Sequence, residues 1–290
     1  MKLLVMTLSI GCSGGGTSPG ATGPAVPATR PSKPYEASAP EIGRTFADAQ
    51  LAAVLSETED DHARLADGFA PKSVVLWPRA QEIEHIDANL REHVLALDPS
   101  DTLVDAKLTR LDAGGTAAFV WLSYELTVSS VTSNDPDAKQ QKRIFASALL
   151  TKASGWRAVA SAFAQPGRGD RGTSKDLVES ATEAGPLTAM LLEPSQAATH
   201  LSSDAVVVLE DARHAGAAAA PGLAAYAERH ERFRLQSPPR EIRGDSWGAV
   251  QAHLWIDDGG AKPRKASALV IGSADRNGAW TLHVVHLMPM

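Results

Sequence analysis

Apolar positions along this chain fall into two blocks, a short one ending at Ile10 and a long one opening at Ile42, with a stretch almost devoid of them between. After Ile42, Phe46, Leu51, Val54 and Leu55 recur at roughly helical spacing and predict a first helix. His62, Leu65, Ala66 and Phe69 predict a second, ended by Pro71. Ser73-Val74-Val75-Leu76-Trp77 before Pro78 reads as a strand. Ile83, Ile86, Leu90, Val94 and Leu97 predict a third helix closed by Asp98-Pro99. From Thr102 to Ala164 the pattern is strand only: Leu103 to Leu111, Ala117 to Val128, Arg143 to Lys152 and Trp156 to Phe163. Helices first and an antiparallel meander after is an α+β layout, with helices covering one face of a curved sheet.

The second half runs in the same order. Asp204-Ala205-Val206-Val207-Val208-Leu209 answers the strand at 73–77, and Leu223 to Phe233 answers the helix at 83–97. Ala146-Ser147-Ala148-Leu149-Leu150 recurs as Ala266-Ser267-Ala268-Leu269-Val270, and each run precedes a turn and a Trp-led final strand, Trp156 in one and Trp280 in the other. Tyr124 lines up with Trp255 in this reading. The expected architecture is two tandem α+β units, helices packed on a curved antiparallel sheet, at 42–166 and 175–290, the second more divergent. A loop at 167–174 joins them; the Arg168-Gly169-Asp170 it contains is an integrin-type tripeptide of the kind that Gly-rich charged linkers produce by chance.

Composition narrows the function. The 290 residues carry 28 Lys and Arg against 34 Asp and Glu, and this acidic balance, with no long basic run, argues against a nucleic-acid partner. The single cysteine excludes an internal disulfide and a Cys-rich zinc site, and no apolar stretch approaches the ~20 residues that span a bilayer.

That cysteine, Cys12, follows Met1-Lys2, the apolar run Leu3 to Ile10, and Gly11: a basic start, a short apolar core and a small residue before the cleavage point. The run resembles a bacterial lipoprotein signal, although the leucine expected next to Ile10 stands one position early, at Leu8, with Ser9 in its place. The resemblance implies a signal peptide at 1–11 and lipids on Cys12, and so a membrane partner through a lipid anchor on the periplasmic side of the envelope, the outer membrane by expectation. From Ser13 to Pro40, 23 of 28 residues are Gly, Pro, Ser, Ala or Thr, a composition that cannot offset its ordering entropy by burying apolar surface. A flexible tether over 12–41 is the expectation.

The element order, with Asp60-Asp61-His62 into Phe69-Ala70, Ser73 to Pro78, Ala118 to Leu126 and Gly155-Trp156-Arg157-Ala158-Val159, resembles the SnoaL-like branch of the nuclear-transport-factor-2-like superfamily. The resemblance covers roughly 44–166 and rests on pattern. It implies a cone-shaped α+β barrel, two tandem cone-shaped α+β barrels with the second half included, whose mouth carries function and, in the family's enzymes, a buried Asp, alone or paired with Tyr, His or Arg. Glu125 is the mid-strand acid that could serve as a catalytic residue. Trp77, Tyr124, His253 and Trp255 are the candidate pocket-lining residues, although large aromatics such as Trp77, Tyr124 and Trp156 sit more often in cores.

Strand alternation puts Phe119, Trp121, Ser123 and Glu125 on one face and Val120, Leu122, Tyr124 and Leu126 on the other. The second set is largely apolar, so it is expected to form core and to leave Glu125 on the opposite surface. His283 and His286, three apart, should face opposite ways, while His253 and His283 could meet across adjacent strands. No third metal ligand is placed near them, so neither a metal nor another cofactor is expected. Arg229-His230-Glu231-Arg232 reads as a solvated helix face, and Asp257 and Asp258 as turn residues. No nucleophile elbow, phosphate loop or His-Glu-x-x-His run occurs. Two functions follow as expectations. One is a lipid-anchored envelope protein that binds a small apolar ligand or a protein partner without catalysis. The other is an enzyme doing acid–base chemistry, of isomerase or cyclase type, on a small cyclic substrate.

Overall fold

The computed structural model describes residues 37–56, 58, 66–77, 82–83, 101–132, 135–165, 185–210, 212–230, 232–257 and 263–289. The signal, Cys12, the expected tether as far as Glu36, the loop at 167–174, and most of the expected second and third helices lie outside them.

The first helix, α1 (Ala39–Leu55), begins at Ser38, whose side chain and Glu41 form a capping box, with Pro40 in the first turn. It buries Ile42, Phe46, Gln50, Ala53 and Val54, one stripe at helical spacing. Six strands make the sheet beneath it: β1 (Phe69–Leu76), β2 (Glu82–Ile83), β3 (Asp101–Gly115), β4 (Phe119–Thr132), β5 (Asp135–Lys152) and β6 (Trp156–Ala164), in the order β2-β1-β6-β5-β4-β3. β1 runs parallel to β6, and the other pairings are antiparallel. Phe46 meets Phe69 edge to face, ring centroids 6.1 Å apart, and the first core closes over Val120, Leu122, Tyr124 and Leu126.

The second half has the same plan. Two short helices, α2 (Pro186–Leu192) and α3 (Pro194–Ala197), and a longer one, α4 (Ala219–Glu228), cover a sheet of β7 (Leu201–Val208), β8 (Arg213–Ala215), β9 (Arg232–Leu235), β10 (Arg240–Arg243), β11 (Trp247–Asp257), β12 (Arg264–Ala274) and β13 (Trp280–Pro289). The order is β10-β11-β12-β13-β7-β8, with β9 also on β11, and β7 runs parallel to β13 as β1 does to β6. The architecture is α+β, two units each made of a mixed curved sheet with helical structure on one face. Among the described residues no helix is long and apolar enough to cross a membrane.

Several expected elements differ. Phe69 opens β1 instead of ending a helix, and Pro71 sits within that strand. It falls where the register with β6 shifts between Phe69 and Val74, so its missing N–H breaks no ladder bond there. Ile83 belongs to β2, paired with Val75, not to a helix. Phe233 is likewise in β9, because α4 stops at Glu228 and the chain turns back to lay Phe233 and Leu235 into the second core. Pattern reading omitted α2, although Pro186 at its first turn and the buried pair Leu187 and Leu191 carry a helix signal.

The faces of the two sheets turned away from the helices pack on each other. Val74, Leu76, Phe119, Trp121, Phe145, Leu149 and Ala162 from the first sheet form one cluster with Val206, Val208, Leu269, Ile271, Val284 and Met288 from the second. Central strands are therefore buried on both faces, which is why 119–126 is apolar on both alternating sets apart from Ser123 and Glu125.

Candidate functional site

Among the described residues, several polar contacts cross this seam between the sheets. Gln251, 3% exposed, donates through Nε2 to the carbonyls of Val74 (2.8 Å) and Ser161 (3.1 Å). Arg240 donates to the carbonyl of Lys72, and Arg213 to that of Ser123 at 3.4 Å. All three reach from the second half to backbone acceptors of the first. Arg213 also pairs with Asp112; its side chain is 3% exposed and that of Asp112 is 42% exposed.

Within the seam, Ser147 Oγ donates to Ser123 Oγ at 3.2 Å, between residues paired in register on β5 and β4. His286 Nδ1 lies 2.9 Å from Ser147 Oγ, and with that hydroxyl committed to Ser123 the ring is the donor. Its Nε2 has no hydrogen-bond partner among the described residues. Burial first, and then the nearby Arg213 cation, push the His286 pKa down to about 3, so the ring is neutral.

His283 also faces this seam, against the expectation that it and His286 point apart. In the β12–β13 register Ile271 pairs with Val284 and Gly272 with Leu282, so His283 is an extra, bulged residue. A bulge shifts the alternation by one and brings both rings to one side. His283 stacks on Trp121 at 5.7 Å and 8° across the seam and meets Ser273 (2.8 Å) and Ser202 (3.2 Å). Burial lowers its pKa, with Asp204 opposing. His253 and His283 do not meet, because β12 lies between β11 and β13; His253 contacts Ser267 at 2.9 Å.

The sequence-chosen residues divide between the faces. Trp77 and Tyr124 belong to the first core, and burial pushes the Tyr124 phenol pKa up. Glu125 is 5% exposed but lies on the face opposite Tyr124, held by Arg143 at 2.7 Å with Arg110 at 3.8 Å. Trp255 stands between the core residues Leu254 and Ile256 and so points away from the second core, with Lys265 Nζ 5.2 Å from its ring. His253 shares that face. The alignment of Tyr124 with Trp255 is one residue out. Ala146 and Ala266, which open the repeated run, pair with Tyr124 and Leu254 respectively, so Leu254 is the counterpart of Tyr124. A one-residue slip moves a side chain to the other face.

The second core contains a small cavity of about 10 Å³, lined by Met190, Leu191, Pro194, Leu223, Val270 and Val285 among others, all of them apolar. That is room for about one water, and an aliphatic lining offers such a water no partner.

A second cluster escaped sequence reading. Tyr226 donates its phenol to Glu210 (2.9 Å), Glu210 also takes Arg264 (2.6 Å), and the His230 ring lies 4.2 Å from that of Tyr226. His230 is thus half-buried, not on a solvated face; Arg229 beside it is exposed. Sequence spacing hid the group because Glu210 follows β7 while Tyr226 is in α4. Among the described residues, no three His, Cys, Asp or Glu side chains are grouped to hold a metal.

No protein-family model matches this sequence, and neither does any curated protein. Among solved structures the chain is similar to a protein described as a calcium/calmodulin-dependent kinase II association domain from Exiguobacterium sibiricum, at 12% identity and TM-score 0.34, over 47% of this chain and 99% of that one. It is also similar to a ketosteroid isomerase-like protein from Erwinia carotovora atroseptica (12%, TM-score 0.33, 43% and 93%) and to a nuclear-transport-factor-2-like protein from Cytophaga hutchinsonii (10%, TM-score 0.30, 41% and 92%).

Proposed function

We propose that this chain is a lipid-anchored protein of the bacterial envelope whose two SnoaL-like units act together as a non-enzymatic scaffold for a protein partner. The observation that carries this reading is where the apolar surface goes. Among the described residues the two sheets bury one face each against the other, and the cavity in the second core is about 10 Å³, which supports a role through contact at the outer surface. The basic start, the apolar run and Cys12, followed by the Gly/Pro/Ser/Ala/Thr stretch, support the anchor and tether. Units at 42–166 and 175–290, the second a divergent copy of the first, fit the shared strand order and the placing of the repeated Ala-Ser-Ala-Leu run on β5 and β12. The anchor is tested by fractionating cells that express Cys12→Ser. Loss from the membrane fraction, with acyl mass on Cys12 in the parent, is the expected result; unchanged fractionation and a bare Cys12 overturn it.

One arrangement favours a second reading, acid–base chemistry on a small cyclic substrate. Tyr226 and Glu210, with Arg264 and His230 beside them, form the paired phenol and carboxylate that proton transfer requires. Turnover by the purified protein that Glu210→Gln abolishes would replace the scaffold with an enzyme.

A further inference from the structure

The seam joins two separately cored units, and its most buried ionisable side chain is a histidine held neutral. His286 is fully buried between β13 and the first sheet. Facing it are Ser147 on β5, Ser123 on β4 and the Arg213 guanidinium from β8, itself paired with Asp112 on β3. Asp112 is already paired with Arg213, and among the described residues no carboxylate contacts His286 to compensate a second positive charge there. His283, on the same face, packs its ring on Trp121 and feels the charge of Asp204.

We propose that the seam is an acid-sensitive latch: a proton taken up by His286 at its unpartnered Nε2 buries a charge that nothing there solvates, sets a second cation beside Arg213 and parts the two sheets, leaving each unit its own core. The device is built into the pairing and stands independently of the scaffold reading. Trp121, Phe145, Leu149 and Met288, each 2% exposed or less with the latch closed, become the apolar faces it uncovers. Linkage sets the size of the effect. A ring that binds its proton near 6.5 when open and near 3 when closed favours the open form about thirtyfold more at pH 5 than at pH 7.5.

Hydroxyl-radical footprinting of the full chain between pH 7.5 and pH 5, read by peptide mass spectrometry, tests this. Oxidation at Trp121, Phe145 and Met288 should rise about thirtyfold, while Phe46 and Val54 on the buried face of α1 stay constant, and His286→Gln should flatten the rise. An equal rise in His286→Gln, or no rise in the parent, overturns the latch. Should His286→Gln fail to fold, side-chain NMR of the parent decides. A His286 ring still neutral at pH 5 in the closed molecule is expected, and one that charges near pH 6.5 with the seam still closed contradicts it.

Discussion

Glu125 and Trp255 occupy the same position in the two sheets. Glu125 lies between Arg110 on β3 and Phe145 on β5, and Trp255 between Arg234 on β9 and Lys265 on β12. One place uses a carboxylate to gather the neighbouring cations, the other an indole that Lys265 covers. Glu125 therefore acts as an ion-pair centre on the seam-side face. Glu125→Gln should cost about 1–2 kcal/mol, since Arg143 and Arg110 are exposed enough to turn to water. Urea denaturation checks this; a loss of 4 kcal/mol or more would show that the two arginines cannot be rehydrated.

Arg213 and Asp112 should respond unequally to truncation. Asp112→Asn strands a guanidinium that is 3% exposed, whereas Arg213→Ala strands a carboxylate that water already reaches. The expected costs are about 3 kcal/mol or more for the first and less for the second. Denaturant midpoints of the two variants decide, and the reverse order would contradict the placement of Arg213.

α1 presses on the sheet at Gly43. A Cβ there would stand 2.6 Å from Ala113 Cβ, so Gly43→Ala forces α1 off β3. Helix propensity favours alanine by about 1 kcal/mol, and overpacking costs about 1–3 kcal/mol. The net is a loss, visible as a lower melting temperature; a higher one would mean that the helix moves without cost.

Acid should weaken the fold through His286. The unfolded ring takes a proton below pH 6.5 and the folded ring only near pH 3, so the stability present above pH 6.5 declines as pH falls through that window. The slope is about 1.4 kcal/mol per pH unit for this one ring. Urea midpoints at pH 7, 6 and 5 should show it, and His286→Gln should remove that share of the slope.

Strand positions, the Trp-led last strands and the shared order of the halves were readable because period-2 patterns and repeated runs are local signals. The seam was not, although the doubly apolar run at 119–122 hinted that both faces of β4 are covered. Alternation misplaced His283 because a bulge is an inserted residue with no signature in hydropathy. Aligning Tyr124 to Trp255 matched aromatics where register, set by the Ala146 and Ala266 partners, was the physical constraint. Glu210 and Tyr226 meet only through the fold of the second unit, 16 residues apart.

Function through surface contact, with no small ligand held inside, is tested most directly by native mass spectrometry of the protein isolated from its own cell envelope, compared with the same sample denatured. The account predicts identical protein masses in the two spectra, covalent acyl groups included. A small molecule present in the native spectrum and lost on denaturation would contradict it and make the protein a ligand carrier.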